Sequence, residues 1–291
     1  MAWEFEGLFD VIPPENSTLM DEFWKNESTS IRIGQMGYRT RTTRAGTRLE
    51  AEIHPIFGRS METTARAARE RITPERQQQL NVRRSKRRLI LLMETNFRID
   101  EDIAITLTYA EEPEDLKRCR KDLKNYYAKL NRIRAKKGLP ELKYIHAIGH
   151  DQDQRIHVHV VMNGGLSQKE LRRAWGKGIV NGYELQSYGK GLQGMANYLY
   201  KQNERAKDRG ERVNYHMWSG SRNLKKPKER VSDTKLSNRK VKLIAQGFGN
   251  VAKEILEKVY PGYTLEDCRV LYSDIVDGVY IRCVMRKGRE T

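Results

Sequence analysis

The 291-residue sequence has few cysteines, no long apolar run and a shortage of acids relative to bases. Its three cysteines, Cys119, Cys268 and Cys283, lie far apart in sequence and form no C-x-x-C pair. That spacing excludes a disulfide framework and a thiolate zinc site, and leaves reduced thiols that serve packing. The longest apolar stretch near the middle is Leu89 to Met93, far short of the roughly 20 residues a membrane span needs. A basic region followed by an apolar one is missing from the first residues, so no secretion signal is read there. A cytoplasmic protein with no membrane partner is expected. Hydrophobic residues make up 38% and mean hydropathy is -0.78, an unusually polar composition. No repeat and no low-complexity tract stands out.

What is abundant is positive charge. Lys and Arg number 55 against 38 Asp and Glu, a net of +17. Residues 1–31 hold seven acids and one base, so the remaining 260 residues carry +23. A basic body of this kind attracts polyanions, with an affinity that falls steeply as salt rises. Nucleic acid is the expected partner, although charge alone fits a merely solvated surface.

Three regions follow from the patterning: an accessory segment at 1–72 with weak periodicity, a main domain at 73–230, and a tail at 231–291. The tail is read either as a small separate domain or as an extension of the same sheet. A helix is predicted from Thr73-Pro74-Glu75 to about Thr95, since Thr caps and Pro suits the first turn. Leu80, Leu89, Leu92 and Met93 give that helix one apolar face, which leaves Arg84, Arg87 and Arg88 for phosphates or for solvent. Asp102 to Tyr109 alternates and reads as a strand. A charged amphipathic helix at 113–137 and strands at 142–148 and 155–162 come next. A short helix capped by Ser167 runs to Trp175, a strand spans 179–186, and a helix covers 195–207. The order β-α-β-β-α-β-α predicts an α+β, ferredoxin-like split β-α-β plan in two layers, with an antiparallel sheet. In the tail, a helix from about 235 to 258 precedes a hairpin turning at Asp277-Gly278.

Three small patterns carry chemistry. His157 and His159 flank Val158, and residues two apart in a strand share a face, so two imidazoles stand side by side as half of a divalent-metal site. On its own an H-x-H pair fits an ordinary core or surface pair equally well. A third ligand must come from a neighbouring strand. His150 at the end of the preceding strand is the first choice, with Asp151 and Asp153 as rivals. Tyr198 and Lys201 are three apart on a helix and share a face. A phenol with an ordinary pKa near 10 is a poor nucleophile, and a nearby ammonium lessens that handicap. Thr106 and Thr108 project from one side of the first main-domain strand, where hydroxyls suit a nucleic-acid backbone.

In this order the three patterns, Ile105-Thr-Leu-Thr-Tyr109, His157-Val-His159 and Tyr198-x-x-Lys201, resemble the HUH endonuclease superfamily. That superfamily includes rolling-circle replication initiators, plasmid relaxases and single-strand transposases. The nearer likeness is to replication-associated proteins of Gram-positive phages, plasmids and integrating elements. Asn96-Phe97 before the Leu-Thr-Tyr strand and the block Trp218 to Pro227 after the tyrosine support it. The likeness covers roughly 73–230. It implies an antiparallel α/β fold, Mn2+ or Mg2+ held by His157, His159 and a third group, and cleavage of single-stranded DNA at an origin, which in some cases is a hairpin. It also implies Tyr198 as nucleophile, leaving a 5′-phosphotyrosine, and Lys201 as the residue that positions the phosphate. No G-x-x-x-x-G-K-[ST] motif is present, so a host helicase is an expected partner. A relaxase or transposase, and a non-catalytic single-stranded nucleic-acid binder, are the competing readings.

Overall fold

A computed structural model describes residues 37–56, 74–151, 154–186, 191–207, 218–247, 250–272 and 278–288. The acidic run at 1–31 lies outside the described residues. The chain divides into two units, a central one at residues 86–226 and a terminal one made of residues 1–85 and 227–291. Both are mixed α/β units around a five-stranded antiparallel sheet.

The terminal unit contains β1 (Gly37–Ala45), β2 (Arg48–Ile56), β8 (Lys228–Ser232), β9 (Tyr263–Tyr272) and β10 (Val279–Lys287). Their order is β8-β1-β2-β10-β9. The region read as an accessory segment of weak periodicity therefore supplies two strands, and the tail pairs with them through β2 and β10. Leu49, Ala51 and Ile53 alternate with Arg48, Glu50 and Glu52 along β2. The apolar set packs with Ile281, Cys283 and Met285 of β10 under helices α5 (Asn238–Gln246) and α6 (Asn250–Val259). The single helix expected at 235–258 is thus two helices, and the first ends at Gly247. Glu50 meets Arg48 at 2.9 Å and Arg282 at 3.4 Å. The expected hairpin is present, with Gly278 at φ 131°. Cys268 and Cys283, distant in sequence, are cross-strand neighbours with Sγ atoms 3.4 Å apart and remain free thiols.

Helix α1 (Pro74–Asn96) spans the division between the units. In the central unit, β3 (Ile103–Thr108), β4 (Tyr144–Asp151), β5 (Gln154–Met162), β6 (Val180–Glu184) and the two-residue β7 (Ser219–Gly220) order as β6-β3-β5-β4-β7. With β3, helix α2 (Leu116–Lys136) and β4 in sequence and β5 inserted between the two strands, this is a split β-α-β sheet. Ile105, Leu107, Val158 and Val160 face α2 and α3 (Gln168–Trp175) and are 0–1% exposed. Each such side chain contributes about 1.5–3 kcal/mol by leaving water. Ser167 caps α3 in a capping box with Glu170, as its position predicts. The last helix, α4 (Gln193–Lys207), packs on β4 and reaches the opposite face of the sheet, so this unit carries helices on both sides. No helix among the described residues is long and apolar enough to cross a membrane.

Candidate active site

Strand register decides which side chains meet on the second face of the central sheet. Thr106 pairs with His159 and Thr108 with His157 across β3 and β5. Ala147 and Gly149 of β4 lie opposite His159 and His157 on the other side. Cross-strand partners share a face, so these residues form one surface, backed by the apolar layer beneath. Asn181 and Tyr183 of β6 join it through Thr106 and Ala104.

Gly149 has a steric reason. A Cβ built there would collide with the His157 ring at Nε2, so any side chain at 149 would displace that imidazole. Sequence reasoning missed this residue because its role depends on a neighbour in another strand. Asn181 and Tyr183 were missed for the same reason, and Tyr183 is 47% exposed.

Both imidazoles are anchored through Nδ1. His157 Nδ1 donates to the Arg155 carbonyl at 3.0 Å. Because a carbonyl only accepts, Nδ1 carries the hydrogen and Nε2 of the neutral ring keeps its lone pair. His159 Nδ1 lies 3.0 Å from the Thr106 hydroxyl, which leaves its Nε2 turned toward Tyr198. The two rings have centroids 5.0 Å apart. His159 is 8% exposed, and burial, reinforced by the neighbouring His157, lowers its pKa to about 4. At neutral pH it is an uncharged imidazole, the form that ligates a cation.

Tyr198 meets this pair from α4. Its hydroxyl stands 3.4 Å from His159 Nε2, and the rings pack edge to face with centroids 5.0 Å apart. Tyr198 is 42% exposed, whereas Tyr200, two residues on, is 1% exposed. Helical geometry separates the two by about 200°, and the sheet therefore receives one and the core the other. The side chains of Lys201, His150 and Asp151, and all of Asp153, lie outside the described residues. At backbone level, Gly149 rather than His150 is the partner of His157, and the register shifts between Gly149 and Asp151. Among the described residues no third His, Cys, Asp or Glu side chain joins the pair in a metal-binding group.

The remaining expected nucleic-acid contacts are dispersed. Thr106 is held by His159, and Thr108 Oγ1 accepts the Ile179 N–H at 3.3 Å, so both hydroxyls have partners within the chain. On α1, Arg88 is exposed while Arg84 and Arg87 are half-buried. The basic cluster is therefore not one uniformly solvated stripe. The two flanking sequence blocks do meet: Asn96 Nδ2 donates to the Lys225 carbonyl at 2.8 Å, and Asn96 Oδ1 accepts the Lys225 N–H at 2.7 Å. Ser219 and Gly220 of the second block add the edge strand β7 beside β4. This is a scaffolding role for both blocks.

Residues 102–203 match a family of replication-associated proteins, the ORF2 type. Neither a curated protein nor a solved structure gives a match to the chain. The matched span runs from the residue before β3 into α4 and includes Thr106, His157, His159 and Tyr198. The segment that carries every candidate catalytic side chain is thus similar to replication-associated proteins.

Proposed function

We propose that the central unit is a replication initiator nuclease of the HUH type, which nicks single-stranded origin DNA and rejoins it through Tyr198. The observation that carries this reading is the approach of an exposed phenol to within 3.4 Å of a strand-borne histidine pair. In the proposed step the Tyr198 oxygen attacks phosphorus and forms a P–O bond, while the bond from phosphorus to the 3′ oxygen breaks. The proton lost by the phenol is balanced by the one gained at the 3′-hydroxyl. The DNA end stays on the protein as a 5′-phosphotyrosine, which keeps the step reversible for rejoining.

His157 and His159 fit a divalent cation, because each ring is fixed through Nδ1 and offers Nε2. Mn2+ or Mg2+ held there would supply Lewis-acid polarisation of a phosphate oxygen. His150 is proposed as the third donor, with Asp151 or Asp153 in its place if His150→Ala binds metal normally. His159 Nε2 cannot hold a cation and a phenol proton together, so loading the site frees the Tyr198 hydroxyl. Thr106 acts as a positioning residue by fixing the His159 ring, and Lys201 is proposed to neutralise the scissile phosphate. A host helicase would supply unwinding, since the chain carries no P-loop motif.

The test is incubation of the full chain with single-stranded origin-region DNA and Mn2+, followed by denaturing electrophoresis and mass spectrometry of the adduct peptide. The expected outcome is a covalent complex on Tyr198 that Tyr198→Phe abolishes while metal and DNA binding persist. An adduct on Tyr200, or normal nicking by Tyr198→Phe, would overturn the assignment. DNA binding without an adduct under any metal would favour a non-catalytic binder. The DNA sequence that is cleaved separates an initiator from a relaxase or transposase.

A further inference from the structure

In the terminal unit acids and bases are used differently. The acids are tied up: Glu50 holds Arg48 and Arg282, Asp233 holds Arg39 at 2.7 Å, and Glu266 holds Arg286 at 2.7 Å. Asp267 holds Arg269, and Glu257 accepts the Leu265 N–H. By contrast Lys228, Arg230, Arg239, Lys240 and Lys242 are exposed and have no ion pair among the described residues.

These cations gather on one side of the sheet. β8 is an edge strand, and Lys228 lies opposite Arg44 and Arg230 opposite Thr42. Thr42 hydrogen-bonds Tyr260 at 2.8 Å, which places these positions on the face that bears α5 and α6. Lys235 sits 5.1 Å above the Tyr260 ring on that face. Helix α5 turns Val241, Ile244 and Ala245 inward, so Arg239, Lys240 and Lys242 point to water. Glu229 lies opposite Thr43, and strand alternation sends it to the other face. Alternation along β8 thus sorts charge by side. Helix α6 is balanced, with Lys253 and Lys258 beside Glu254 and Glu257, so the surplus is local to β8 and α5.

This face also lacks stacking groups. The large apolar side chains exposed among the described residues of this unit are Val231, Leu243 and Val251, none of them aromatic. Single-stranded nucleic acid is held by cations together with aromatic platforms for its bases, whereas a duplex hides its bases and presents phosphates. We propose that the β8–α5 face is a second nucleic-acid site, which grips the phosphate backbone of double-stranded DNA. It is independent of the tyrosine chemistry and gives the chain a hold on duplex DNA in addition to the strand it would cut.

The experiment uses the full chain and two fluorescent probes, a short blunt duplex and a single-stranded oligonucleotide, with anisotropy read across a salt series. The quadruple variant Lys228→Glu, Arg230→Glu, Arg239→Glu, Lys242→Glu should lose about 10-fold or more in duplex affinity, and its log-log salt slope should flatten by about 3–4. Its affinity for the single strand should change little. A second variant with Gln at the same four positions keeps the test valid if charge reversal disturbs folding, and its melting temperature is checked first. An unchanged duplex slope in the Gln variant would make the face a solvated one and sink the proposal. So would an equal loss on both probes, or loss of binding to phosphatidylserine vesicles with duplex binding intact.

Discussion

Both sheets are five-stranded and antiparallel, but they treat polar side chains in opposite ways. In the terminal sheet the charges nearest the centre of β2 pair with one another. Arg48, Glu50 and Glu52 are only 1–5% exposed, and the unpaired cations sit at the β8 edge and on α5. In the central sheet the polar side chains on the second face are histidine and threonine, fixed by single hydrogen bonds and open to a helix that brings a tyrosine. One arrangement makes polarity structural inside and electrostatic outside. The other holds neutral, directional groups at one spot, which is what chemistry on a phosphate requires. Exposed aromatics follow the same division, since Tyr183 and Tyr198 belong to the central unit.

The largest effect that would break this comparison concerns the buried charges. Glu50→Ala leaves Arg48 and Arg282 without their shared carboxylate, and should destabilise the terminal unit by about 3–5 kcal/mol. Denaturant unfolding followed by a probe in each unit checks it. A loss below about 1 kcal/mol would mean that the pairing is not structural.

A smaller effect is shared by the two units. Burial lowers the pKa of His54, with help from Arg41 and Arg39, and of His146, with help from Arg120, in each case to about 4. Unfolded, both histidines take up a proton near 6.5. Between those values the unfolded chain binds more protons, so stability is complete above about pH 6.5 and falls as pH drops toward 4. The slope is about 1.4 kcal/mol per pH unit for each group. His146→Gln should flatten the acid limb of the central unit alone, and His54→Gln that of the terminal unit alone, as read by pH-dependent melting.

The smallest effect sharpens the contrast in nucleic-acid preference. Tyr183→Ala removes an exposed ring from the histidine-bearing face and should cost about 1–3 kcal/mol in single-strand binding, the worth of one stacked base. Duplex affinity should stay as it was. Equal losses on both probes would erase the distinction drawn between the faces.

Much of the central unit was legible in the sequence. Strands β3 and β5 show their period of two without interruption, and Ser167 announces a helix start. Strand β1 was not legible. Its inward positions include Thr40 and Thr42, which carry no hydrophobic signal, and its partners lie near residues 228–232. The break between α5 and α6 was hidden because apolar residues continue on both sides of Gly247. Strand β7 has two residues, too few for any period.

By itself the sequence determined that His157 and His159 share a face, that Tyr198 and Tyr200 cannot both reach the sheet, and that the body is strongly basic. Those facts follow from the fixed repeats of strand and helix and from counting charge. The tertiary structure decided the rest: which tyrosine meets His159, that Gly149 makes room for His157, and which cations keep no carboxylate beside them. Each of those depends on a partner that only chain folding brings near, and local periodicity holds no record of it.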